Sequence, residues 1–110
     1  MQILFFSPGV QLPDPFRSYA EKRVQEELEH LAERLTRVEV HLKDVNSKKG
    51  GVDKHCVIEA HPRGMDPVAA EHEADDPKEA VTQAAIKLQH ALRHRFDRRD
   101  DKRKRPSGTS

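Results

Sequence analysis

Arg37-Val38-Glu39-Val40-His41-Leu42-Lys43-Asp44-Val45-Asn46 is where the chain changes period. Val38, Val40 and Leu42 alternate with Glu39, His41 and Lys43, and a period of two belongs to a strand with one buried face. Before this stretch the period is three to four. Phe16, Ala20, Val24, Leu28, Leu31 and Leu35 make one apolar stripe, which predicts a helix of about six turns. Asp14-Pro15 opens it, with Asp14 as the N-cap and Pro15 in the first helical position. Glu21, Lys22, Gln25, Glu26, Glu29, His30 and Glu33 fall on the opposite side, where pairs such as Glu26 with His30 stand at i,i+4.

Working outward, Asn46-Ser47-Lys48-Lys49-Gly50-Gly51 reads as a turn that needs glycine for positive φ. Lys54 to His61 alternates again, with Cys56, Ile58 and Ala60 inward and His55, Glu59 and His61 outward. After the turn Pro62-Arg63-Gly64-Met65-Asp66, a weaker strand spans Pro67 to Ala74, with Val68, Ala70 and Ala74 inward. At the other end, Gln2 to Ser7 is a short apolar strand closed by Pro8-Gly9. Asp75-Asp76-Pro77 repeats the cap-then-proline signal. Val81, Ala84, Ala85, Leu88, Leu92 and Phe96 then predict a second helix from about Pro77 to Arg99. The order is β-α-β-β-β-α. The expected fold is α+β, a four-stranded mixed sheet with both helices packed on one face and the other face open to water.

Composition narrows the class. The 110 residues carry 35% hydrophobic and 35% charged side chains, enough for one small core with little apolar surface to spare. No apolar run approaches a membrane span, the N-terminal stretch lacks the basic flank of a secretory signal, and a single cysteine excludes an internal disulfide framework. A reducing, cytoplasmic setting is expected. The net charge of +1 conceals an asymmetry. Residues 93–110 hold eight basic and three acidic side chains, a net of +5, which leaves −4 on the other 92 residues. Such a polarity points to a polyanionic partner. Residues 1–100 are expected to form the single domain. Residues 101–110, with Lys102-Arg103-Lys104-Arg105 unbroken, are expected to form a disordered basic tail.

In this order of elements, Val38-Glu39-Val40-His41-Leu42-Lys43-Asp44-Val45-Asn46, then Lys49-Gly50-Gly51-Val52-Asp53-Lys54-His55-Cys56 and Ile58-Glu59-Ala60-His61-Pro62-Arg63-Gly64, resemble the ribosome hibernation promoting factor family. That family includes the ribosome-associated inhibitor proteins. The run from Glu73-Ala74-Asp75 to Ala85 completes the resemblance, which covers about residues 1–100. It implies binding to the small ribosomal subunit and its rRNA between head and body, in the tRNA and mRNA path, so that translation is blocked sterically. It also implies a short form without the second, dimer-forming domain of longer members, monomeric when free.

The candidate RNA contacts divide by element. On the second helix, Lys87, His90, His94 and Arg98 follow one polar face, and Arg95, Arg99 and Lys102 an adjoining line. A basic stripe of this spacing suits phosphates on structured RNA. The resemblance carries Lys87, Arg93, Arg95 and Arg98 over as contacts, with Arg99 and the tail residues Lys102, Arg103, Lys104 and Arg105 beside them. On the first helix Lys22 and Arg23 are the transferred contacts, although its acidic balance departs from the family's basic one. In the glycine turn, Lys54 is the candidate, with Lys48 and Lys49 nearby.

Three histidines, His41, His55 and His61, share the outer sheet face with Glu39 and Glu59. Their spacing matches no zinc pattern, and imidazoles on an open face pair readily with carboxylates, so no metal and no cofactor is expected. His72 has inward parity and is expected to be partly buried and hydrogen-bonded. Cys56 reads as a buried apolar residue. No nucleophile constellation, acid pair or phosphate-binding glycine loop suggests an enzyme or a small-molecule substrate. Two other classes stand as rivals: a generic module for structured RNA, and a protein-interaction regulator using the sheet face. The first predicts affinity for bare duplex RNA, the second salt-tolerant binding that survives loss of the basic end.

Overall fold

A computed structural model describes residues 1–46 and 50–104, with side chains through residue 101. Among them the order is β1 (Gln2–Phe6), α1 (Asp14–Leu28), a 3₁₀ segment (Glu29–Arg34), β2 (Leu35–Asn46), β3 (Val52–Pro62), β4 (Val68–Ala74) and α2 (Pro77–Lys104). The four strands form one sheet in the order β1-β2-β3-β4. β1 runs parallel to β2, while β2–β3 and β3–β4 are antiparallel. This is the α+β architecture that the periodicities predict.

Parity sorts the sheet as expected. Val38, Val40 and Leu42 of β2, with Cys56, Ile58 and Ala60 of β3, are buried beneath the helices. Ala20, Val24 and Leu28 meet them from α1, and Ala80, Val81, Ala84, Ala85, Leu88, Leu92 and Phe96 from α2. Each fully buried Leu or Ile contributes about 1.5–3 kcal/mol of transfer free energy, so this cluster dominates the stabilisation of a chain with so few apolar residues. The two helices touch directly, where Tyr19 Oη lies 3.1 Å from Thr82 Oγ1.

Three boundaries differ from expectation. The first helix does not run to Leu35. It is α-helical only to Leu28, tightens into the 3₁₀ segment, and Leu35 already belongs to β2. Leu35 fits both periods, and the β-branched alternation that follows it decides for the strand, with a register irregularity between Leu35 and Arg37. Asp14 is not the N-cap. Pro13 takes that place, its carbonyl accepting from the N–H groups of Phe16 and Arg17, so Asp14 and Pro15 lie inside the first turn. The second helix passes Arg99 and reaches Lys104, because Arg, Lys and a preformed upstream helix propagate the turn without any apolar residue. Its N-terminus agrees with expectation, since Asp76 Oδ1 accepts from the Lys78 backbone N–H at 2.9 Å.

Gly50 and Gly51 both adopt positive φ, 88° and 85°, with open space where a Cβ would stand. They are required by the backbone path and not by a close neighbour. Lys48 and Lys49 lie outside the described residues, as do residues 105–110 of the expected tail.

Cys56 is wholly buried, and burial pushes its thiol up from 9.0 to about 12. At pH 8 the thiolate fraction is then on the order of 10⁻⁴, so the native protein should resist alkylation and disulfide exchange while the denatured chain reacts at once. Rapid labelling of the folded chain by a thiol reagent would contradict this placement. The sign of the linkage follows. The folded state keeps a proton that the unfolded chain releases above pH 9, so this thiol's contribution to stability falls as pH rises from there toward 12.

Candidate nucleic-acid interface

Among the described side chains, Phe96 is the last buried one of α2. Arg93 and Arg98 are exposed and Arg95 is half-buried, and none of the three has an ion pair among the described residues. At 100° per residue, Arg95 and Arg98 occupy one flank of the helix a turn apart, while Arg93 lies across the exposed arc. Three planar guanidinium groups are thus left with their donors unspent on protein acids, the condition for bidentate contact to phosphate.

The other candidates are tied down to different degrees. Arg99 Nη1 donates to the Gly64 carbonyl at 2.9 Å, fastening α2 to the β3–β4 turn. Lys87 Nζ donates to the Glu71 carbonyl at 3.3 Å and to His72 Nδ1 at 3.0 Å. His72 is therefore half-buried and hydrogen-bonded, as its parity suggests. Arg23 pairs with Glu27 at 3.0 Å and Glu26 at 3.6 Å, so the i,i+3 and i,i+4 partners of α1 belong to Arg23 and not to His30. Lys22 is exposed on the same helix. Lys54 pairs with Asp44 across the β2–β3 hairpin. Lys102, Arg103 and Lys104 are helical in backbone, their side chains lying outside the described residues, and Arg105 lies outside them altogether.

Two arginines complete this end of the molecule, and sequence reasoning passed over their role. The Arg34 guanidinium stacks 3.8 Å above the Phe96 ring and reaches Asp100 Oδ2 at 3.3 Å. Arg63 is exposed in the β3–β4 turn, its N–H donating to the Arg34 carbonyl at 3.0 Å. The 3₁₀ segment, the β3–β4 turn and the C-terminal half of α2 therefore converge, bringing Arg34 and Arg63 to the same end of the molecule as Arg99 of α2. The only advance signal was an arginine at each chain reversal.

The outer sheet face is of opposite character. Glu39 accepts from Arg37 Nε at 2.8 Å and lies 3.1 Å from His41 Nε2. These hold its carboxyl below the ordinary carboxylate value, Arg37 first and His41 second. His55 contacts Glu71 at 3.1 Å, and the His41 ring stacks on Phe6 with centroids 4.7 Å apart. Glu39, Glu59 and His61 bring one metal-ligating atom each within 4.8 Å of the others.

Comparison with known proteins joins this geometry to a family. The model of the sigma 54 modulation protein / S30EA ribosomal protein family matches residues 5–100. The chain belongs to this family. The ribosome hibernation resemblance drawn from the β2–β3 residues is thereby borne out, and the family is one of ribosome-associated factors rather than enzymes. Two solved structures share the fold. A ribosomal subunit interface protein from Coxiella burnetii superposes with a TM-score of 0.75 at 18% identity, covering 88% of this chain and 99% of that one. The N-terminal domain of Thermus thermophilus Protein Y gives 0.67 at 20% identity, covering 86% and 98%. No curated protein matches the chain significantly in sequence. No helix among the described residues is long and apolar enough to cross a membrane.

Proposed function

We propose that this S30EA-family domain binds the small ribosomal subunit through rRNA phosphates, occupies the tRNA and mRNA path, and silences translation by occlusion. No bond is made or broken. The observation that carries the reading is the set Arg93, Arg95 and Arg98, unpaired among the described residues on a helix that prolongs the core, in a chain of this family. The likeness to the ribosomal subunit interface protein of Coxiella burnetii supports the same partner. The rival duplex-RNA module is disfavoured because α2 opens on Asp75-Asp76-Pro77-Lys78-Glu79, and the Asp76 carboxylate already caps the amide that a phosphate would need.

Sucrose-gradient sedimentation from growing and starved cells tests this. The protein should travel with small subunits and whole ribosomes in starved cells and be released as salt is raised, since affinity built on phosphate contacts falls steeply with ionic strength. A protein that stays at the top of a low-salt gradient, or that prefers bare duplex RNA to small subunits, contradicts it.

A further inference from the structure

The order β1-β2-β3-β4 gives the sheet two edges. At the β4 edge α2 packs alongside, and its Lys87 takes the Glu71 carbonyl. Among the described residues, no strand pairs with the other side of β1. Open edges are normally blunted by a lysine, a proline or a bulge, because unpaired N–H and C=O groups template a further strand. Gln2-Ile3-Leu4-Phe5-Phe6 carries none of these. Apolar surface gathers there as well. Met1 and Phe6 are two of the four large hydrophobic side chains left exposed among the described residues, in a chain with little apolar surface to spare.

An open groove of about 640 Å³ runs between this edge and α1. Residues 3–6 line one side, and Asp14, Arg17, Ser18 and Glu21 of α1 line the other. The Arg17 guanidinium lies over the Phe5 ring, 5.5 Å from its centroid. None of Asp14, Arg17 and Glu21 has an ion pair among the described residues. Along the groove the charges therefore run negative, positive, negative. In an extended peptide every second side chain points the same way. A strand laid against β1 turns alternate side chains toward α1, where the order basic, acidic, basic complements these three. Its other side chains lie on the open sheet face, beside the exposed Phe6 ring that stacks on His41. A second copy of the chain fits less well. α1 runs opposite to β1, so antiparallel pairing of two β1 strands about Leu4 sets acid against acid and Arg17 near its own counterpart.

We propose that β1 and α1 bind an extended segment of a partner protein, added to the sheet as a fifth strand, whose basic, acidic and basic side chains alternate with apolar ones. Backbone hydrogen bonds to β1 supply the affinity, and Asp14, Arg17 and Glu21 select the sequence. This is independent of the ribosomal reading, since the groove uses none of the residues assigned to rRNA.

The probe is the end-blocked synthetic peptide Val-Lys-Val-Glu-Val-Lys-Val, titrated into the full chain at low salt and followed by calorimetry and amide exchange. Saturable binding is expected, and the amides of residues 3–6 should gain protection while those of β4 stay unchanged. Glu21→Lys should weaken binding about tenfold, as an attraction at the groove wall becomes a repulsion. Its melting temperature should stay near that of the parent, since Glu21 makes no ion pair among the described residues. A peptide with Lys and Glu interchanged should bind the parent at least about tenfold more weakly. A form with its backbone amides N-methylated should not bind at all, because the ladder to β1 is lost. Absence of saturable binding below about 1 mM peptide overturns the proposal. So does equal binding of the two charge isomers, protection at β4 in place of β1, or a dimer that forms without peptide in sedimentation velocity.

Discussion

Replacing Arg93, Arg95 and Arg98 together with Glu should abolish ribosome co-sedimentation while leaving the fold intact. Each charge-assisted contact to phosphate is worth about 1.5–3 kcal/mol, so losing three amounts to roughly a thousandfold or more in affinity, before the added repulsion. None of the three makes an ion pair among the described residues, so circular dichroism and melting temperature should stay near those of the parent. Arg99 is left out of the variant because its guanidinium holds the Gly64 carbonyl, and its loss would confound binding with structure. A milder variant sharpens the test: Arg98→Gln should lower the slope of log affinity against log salt by about 0.7–0.9, the signature of one phosphate contact. Unchanged sedimentation of the triple variant would remove this face from the interface.

Phe96→Ala should produce the largest loss of stability of any single change at this end, about 3–5 kcal/mol. The ring is buried against the core on one side and covered by the Arg34 guanidinium on the other. Truncation opens a cavity and removes the stacking surface that keeps Arg34 near Asp100. Urea denaturation measures the first effect. Amide exchange measures the second, since residues 97–101 should lose protection well before residues 80–92. A loss below about 1 kcal/mol would mean that the C-terminal half of α2 is held by its charged contacts instead.

The sheet was legible because parity is robust. A period of two leaves little freedom over which residues of β2 and β3 face inward, and Val38, Val40, Leu42, Cys56, Ile58 and Ala60 all do. Leu35 was not legible, because one residue satisfied the helical stripe and the strand at once, and only tertiary pairing with Pro62 breaks the tie. The end of α2 was hidden for another reason: with no apolar residue beyond Phe96, periodicity falls silent while helix propagation continues. At the candidate interface, charge density singled out α2 as a whole. It did not distinguish Arg98, exposed and unpaired among the described residues, from Arg23 or Lys54, whose partners Glu27 and Asp44 are fixed by geometry. The convergence of Arg34, Arg63 and Arg99 depends on three elements distant in sequence, and no local pattern encodes it.

The parallel pairing of β1 with β2 orders events in time. β2, β3 and β4 are joined by short reversals, so their ladders close early and at small entropic cost. Gln2 meets Arg37 only after 35 residues of chain have been drawn together, and α1 must be in place for that strand to return in the right direction. Ile3 and Phe5 gain only partial burial for this effort. β1 should therefore be the last strand to dock and the first to detach, an edge that opens and recloses while the meander beneath α2 stays folded.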